Sequence, residues 1–210
     1  MRVPNDTTDR LTPMGVMVLA LLSEGDMHPY EMVRLMRARR DERLLSITNG
    51  TLYHTVGRLQ RSGLLEEVGT DREGNRPERT TYTLTDAGKD ALLRWLRREL
   101  SSIDRPTEFR IALAEAHNLE RRDVIENLRV RRDALAEAHV SHRDGLTGAR
   151  HKNVPEQVLV EFERQEVLLE AELRWLDSLL DRLASESFPW GPDAFEYSDR
   201  YRAQRKAAQQ

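Results

Sequence analysis

The sequence predicts a mainly α-helical protein in two units, with one β-hairpin set into the first, and three observations predict it. Charged residues make up 33% and aromatics 6% of the 210 residues, the composition of long solvated helices rather than of a sandwich or barrel. Apolar residues recur at helical spacing over most of the chain. Only between Leu64 and Leu84 does the pattern change to short runs rich in β-branched and aromatic residues, which read as strands.

The elements follow in order. Thr12 is a capping residue and Pro13 suits a first helical position, where a missing N–H costs nothing, so a helix begins near Pro13. Met14, Val16, Met17, Val18, Leu19, Leu21 and Leu22 cover nearly its whole circumference, which predicts a buried helix ending at Ser23 to Gly25. Pro29 opens a second helix, with Tyr30, Val33, Leu35 and Met36 on an apolar side. Arg34, Arg37, Arg39, Arg40 and Arg43 gather towards its end, where cations complement the helix dipole. Asn49 and Gly50 precede a third helix that packs inward through Leu52, Val56 and Leu59 and stops at Gly63. Leu64–Val68 and Thr80–Leu84 form the hairpin around a charged tip. Thr85 caps a fourth helix with Ala91, Leu92, Trp95, Leu96 and Leu100 on one side.

Ser101 to Pro106 is the linker, and everything beyond it is helical: an element near Phe109 to Ala116, one from about Leu119 to His142, and one from Pro155 to Ala184. The last repeats Val158, Phe162, Leu169, Leu173, Leu176, Leu180 and Leu183, mostly at steps of three and four, a coiled-coil-like seam. A core helix within one chain gives the same pattern. The expected division is residues 12–100, 107–185, and a flexible tail at 186–210.

Several functions are disfavoured. With no cysteine there is no disulfide and no thiolate metal site. His139 and His142 lie three apart but lack a third ligand nearby, so they read as surface histidines and no metal or other cofactor is expected. No Gly-x-Ser-x-Gly elbow, phosphate-binding glycine loop or His-Glu-x-x-His sequence is present, so an enzyme is not expected. The first ten residues hold no apolar run and no segment is apolar enough to span a bilayer. The expectation is therefore a cytoplasmic chain without a membrane partner.

Three helices, a strand, a charged loop and a strand are the order of a winged helix, a helix-turn-helix with an appended hairpin. That order suits duplex DNA. The third helix can enter a major groove and offer Thr51, His54 and Thr55 to base edges, with Arg58 and Arg61 on phosphates and Asn49 also among the DNA-binding residues. Arg72, Arg76 and Arg79 of the hairpin can enter a minor groove, although Asp71, Glu73 and Glu78 partly cancel their field. The formal net charge of -3 means that such a site rests on local placement, not on overall charge.

The residues Thr48, Gly50, Leu52, Tyr53, Leu59, Gly63, Leu64 and Leu65, followed by Tyr82, Leu84, Thr85 and Gly88, carry a further signal in their joint spacing. Over residues 12–100 the chain resembles the DNA-binding domain of the PadR family of transcriptional regulators, and 107–185 is similar in length and helical pattern to the C-terminal region of the longer PadR subfamily. The resemblance implies a homodimer on a pseudo-palindromic operator, usually repressing, with release by a small-molecule effector in some members. By it, Tyr53 contacts phosphate, and Trp95 matches the position of dimer-facing aromatics that line an effector pore in some relatives, although a Trp at helical spacing reads first as core or dimer packing. Two departures stand out: "MHPYEM", where relatives commonly have Gly before the Tyr, and the long acidic hairpin tip. A different class of function is also open, a protein-interaction module using the hairpin and the helical seam without DNA.

Overall fold

Thr12 fixes the start of the first helix: its Oγ1 accepts from the Gly15 N–H, and Pro13 follows at the first helical position. The computed structural model describes residues 11–71, 79–191 and 199–209. Helix α1 (Pro13–Ser23) is buried continuously from Met14 to Leu22, because its neighbours surround it. They are α3 (Asn49–Arg61) and α4 (Asp86–Ser101), with lesser contacts from α5 (Pro106–Ala114) and the second strand.

Helix α2 (Pro29–Arg39) starts with a reciprocal cap. His28 Nδ1 accepts from the Tyr30 N–H, and the Glu31 carboxylate accepts from the His28 N–H. It ends at Arg40 in the left-handed region, φ 62°, a place where glycine is usual. A tight turn at Asp41–Arg43 then leads to α3.

Strands β1 (Leu65–Asp71) and β2 (Arg79–Leu84) form an antiparallel pair, longer than the expected runs. The register shifts between Glu67 and Gly69, a bulge that leaves Val68 about half exposed. Met27 adds a single antiparallel bridge to Tyr82, tying the hairpin to the entry of α2. The base of the hairpin is locked onto α4. Thr85 Oγ1 donates to the Gly63 carbonyl, and a Cβ on Gly88 would run into the Leu64 carbonyl oxygen and lie 2.8 Å from Leu84 Cδ1.

Beyond α4, α5 is followed by a turn at Ala116–Asn118, and then by α6 (Arg121–His151) and α7 (Glu156–Ala184). Helix α6 runs nine residues past its expected end. The pair is an antiparallel hairpin closed by a four-residue turn with Asn153 at φ 55°. Contacts descend its length: Arg150 to Glu163, His142 to the Phe162 carbonyl, Arg131 to Glu172 and Arg132 to Asp177.

The tail differs from the expected flexible segment. Arg121 donates to the Ser185 and Phe188 carbonyls and Trp190 Nε1 donates to the Leu119 carbonyl, folding 185–190 back on the start of α6. A final helix, α8 (Asp199–Gln209), lies on α2 with Ala208 buried. Its small residues Ala203, Ala207 and Ala208 let two helices approach closely, which a reading keyed to large apolar residues does not register.

Candidate nucleic-acid interface

Helix α3 is capped by Thr48, whose Oγ1 accepts from the Thr51 N–H and donates to Thr51 Oγ1. The helix therefore begins at Asn49, so Asn49 and Gly50 are its first two residues rather than residues preceding it. One face, Leu52, Thr55, Val56 and Leu59, is buried against the core. The opposite face carries Asn49, Thr51, Tyr53, His54 and Arg61, all exposed, and no acidic residue occurs in the helix. A cationic and polar helix face of this kind is able to hydrogen-bond base edges and phosphates.

Two expected contacts change. Thr55 is only 4% exposed, so it does not stand among the groups offered to bases. It lies three residues from Leu52 and one from Val56, which places it on the inward face; its methyl packs there as Val would. Arg58 is half-buried, and one of its N–H groups donates to Thr12 Oγ1 at 2.8 Å, so it braces α3 against the cap of α1. Arg61 is exposed and its Nε donates to the Gly57 carbonyl one turn back.

Tyr53 is 46% exposed, and its ring meets the His28 ring edge to face, 6.4 Å between centroids and 73° between planes. His28 caps α2, so this contact sets the angle between the two helices of the helix-turn-helix. Tyr30 belongs to the same surface, although the sequence reading placed it on the apolar side of its helix. It is 44% exposed with the Arg34 guanidinium 5.7 Å from the ring centroid. The His-Pro-Tyr-Glu order was the available signal, since His and Glu three apart at a helix start form a cap and turn the intervening Tyr outward.

Arg72 and Arg76 lie outside the described residues. Arg79 begins β2, paired in register with Asp71. Its backbone place at the tip end of the strand is all that bears on its role.

The groups expected at a dimer or effector surface separate into three sets. Trp95 is fully buried within the single chain, as part of the hydrophobic core, so it lines no open pore. Leu169, Leu176 and Leu183, seven apart, are buried in the chain, and Leu173 and Leu180 are partly buried against the same core. These five are the internal seam with α6 and not an outward surface. Phe162 is 47% exposed and stacks on His142 with centroids 5.9 Å apart. Facing outward instead are Val160, Val167, Leu168 and Trp175, at 61%, 62%, 45% and 40% exposure.

Buried charge concentrates where the two halves meet. Arg131, 2% exposed, donates to Glu172 and to the Ser102 carbonyl, and its guanidinium lies 3.5 Å from the Phe109 ring centroid. Beside it opens a cavity of about 600 Å³ between the α4–α5 linker, α6 and α7, lined by Ile103, Arg131, Leu135, His142, Arg164 and Leu169 among others. At the end of α1, Glu24 takes both guanidinium nitrogens of Arg39 at 2.6 and 2.8 Å, and Ser23 Oγ donates to Asn118 Oδ1. Burial, with Glu24 and Asp41 adding to it, pushes the Glu115 carboxyl up to about 7. Burial also holds the neighbouring His117 below its usual value and raises Asp41. Among the described residues, no group of three or more His, Cys, Asp or Glu is placed to hold a metal, and no helix is long and apolar enough to cross a membrane.

No curated protein matches the chain. Among solved structures it is similar to Bacillus subtilis PadR in complex with operator DNA, at 17% identity over 80% of this chain and 98% of that one, with a TM-score of 0.37. It is similar to a transcriptional regulator from Clostridium thermocellum at 28% identity over 44% of this chain and 84% of that one, TM-score 0.33. It is also similar to Bacillus subtilis PadR in complex with p-coumaric acid, at 20% identity over 84% and 99%, TM-score 0.32. Residues 18–94, which run from the buried turns of α1 through the helix-turn-helix and the hairpin into α4, match the family model described as the transcriptional regulator PadR-like family. This match likens the helix-turn-helix and hairpin of residues 18–94 to the DNA-binding part of the PadR-like transcriptional regulators.

Proposed function

We propose that the protein is a sequence-specific DNA-binding repressor that acts as a homodimer on a pseudo-palindromic operator and is released by a small-molecule effector. The observation that carries this reading is the two-sided α3: an inward face of Leu52, Thr55, Val56 and Leu59, and an outward face of Asn49, Thr51, Tyr53, His54 and Arg61 with no acid. In this reading Thr51, His54 and Asn49 read base edges, while Tyr53 and Arg61 hold phosphates and Arg58, donating to Thr12, steadies the helix. Arg72, Arg76 and Arg79 reach the adjacent minor groove.

Dimerisation supplies the geometry. Two α3 helices must lie about 34 Å apart to meet successive major-groove faces of a palindrome, so whatever joins the protomers sets affinity. The outward apolar groups of α7, led by Val167 and Trp175, form the interface in this reading. The cavity beside Arg131 touches both helices of the hairpin and the linker from α4, so a molecule bound there biases their relative placement. It lowers DNA affinity by its differential binding to the two arrangements.

The experiment is binding of the purified protein to the DNA immediately upstream of its gene over a salt series. Affinity is expected to fall steeply as salt rises, because each phosphate contact releases condensed counterion. Absence of salt-dependent binding would refute the DNA-reading proposal and favour a module that pairs with protein through the outward face of α7.

A further inference from the structure

The geometry points to α8 as a second DNA-contacting element, which lays its cations on the phosphate backbone flanking the groove that α3 occupies; this rests on the DNA-reading proposal above. Helix α8 runs antiparallel to α2. Gln204 Nε2 donates to the Ala38 carbonyl at one end, and at the other Arg205, Ala208 and Gln209 close over Met27, Glu31 and Leu35. The C-terminal end of α8 therefore sits beside the N-terminal end of α2. There His28 meets Tyr53 of α3, and Met27 is bridged to Tyr82 of the hairpin. A segment distant in sequence is thus carried by the helix-turn-helix.

Charge identifies the partner. The sequence of α8 holds Arg200, Arg202, Arg205 and Lys206 against Asp199 alone, and α2 with its cap holds Arg34, Arg37, Arg39 and Arg40 against Glu31. Two cationic helices packed side by side repel each other, and the apolar material between them is small, with alanines as its main contribution from α8. Glu24 offsets part of the repulsion, pairing with Arg39 at 2.6 Å and lying 4.0 Å from Arg205, whose Nη1 is buried without a hydrogen bond among the described residues. Lys206, Arg37 and Arg40 remain exposed. A polyanion laid across the pair removes the remaining repulsion, and the phosphate backbone of the duplex read by α3 is the one this position reaches.

The test compares full-length protein with the variant Arg37→Gln/Arg40→Gln/Lys206→Gln, on the upstream duplex and on an unrelated duplex of equal length, over a salt series. Loss of about three phosphate contacts lowers the slope of log affinity against log salt by about 2 to 3, equally on both duplexes, with the preference between them unchanged. Lys206→Glu, a single exposed change, lowers the slope as well and covers the case in which the triple variant folds poorly. Slopes equal to wild type in both variants would overturn the inference while leaving the reading by α3 intact. Sensitivity of the triple variant only towards anionic lipid vesicles would overturn it too. A wild-type protein without salt-dependent DNA binding would remove both proposals together.

Discussion

Helix α1 and helix α7 are both rich in large aliphatic side chains, yet one is buried on all sides and the other on one. Met14 to Leu22 are buried without interruption because α3, α4, α5 and β2 surround α1. In α7 the fully buried positions at its C-terminal half fall every seven residues, Leu169, Leu176 and Leu183, since α6 is its main neighbour. Val160, Val167, Leu168 and Trp175 are left outward. The same chemistry therefore yields a closed unit in one half and an open face in the other. The closed half orients α3; the open half has surface to give to a second copy.

The largest expected effect strikes the closed half. Gly88→Ala drives a methyl into the Leu64 carbonyl and Leu84, where β1 and α4 meet, and should cost about 4 kcal/mol of unfolding free energy in thermal or urea denaturation. Gly57→Ala, with nothing within 4 Å of its added Cβ, should leave stability unchanged or raise it by up to about 1 kcal/mol. Equal effects from the two would contradict the close fit at Gly88.

The seam between the halves is tested by pH. Burial pushes the Glu115 carboxyl from its ordinary 4.5 up to about 7, so the folded protein holds a proton that the unfolded chain releases between those values. Stability contributed by this group is full below about pH 4.5, is lost as pH rises to about 7, and is flat above. Glu115→Gln should remove that decline, on the order of 2 kcal/mol, when unfolding is followed from pH 5 to 8. A variant with the wild-type decline would assign it elsewhere, for example to Asp41, whose carboxyl burial also raises; His117, held low by burial, would instead add stability as pH rises.

Smaller still is the change at the open face. Val160→Ser/Val167→Ser should leave unfolding of the single chain within about 1 kcal/mol of wild type, while weakening self-association at least about tenfold in sedimentation. Unchanged association would place the interface elsewhere.

Much of the winged-helix order was legible because it is written in local chemistry: Thr12 and Thr85 each cap a helix, and β-branched runs mark the hairpin. Side-chain polarity misled at Thr55, where helical phase decides and the residue falls on the inward face. The repeat in α7 was legible as a seam but not as an internal one, since the period of a pattern does not say which helix fills it. Trp95 shows the limit of analogy by position: here the chain's own helices close over it. Helix α8 escaped notice because alanine, arginine and glutamine carry almost no apolar contrast, and its docking depends on a surface of α2 assembled only in the fold.

The central claim is that the outward face of α3 reads bases. It is tested most directly by the ratio of affinities for the upstream duplex and an unrelated duplex, measured for wild type, Thr51→Ala/His54→Ala and Arg61→Ala. The double variant should lower that ratio about tenfold or more, as lost base contacts do, whereas Arg61→Ala should weaken both duplexes alike and keep the ratio. A ratio untouched by the double variant would contradict the claim.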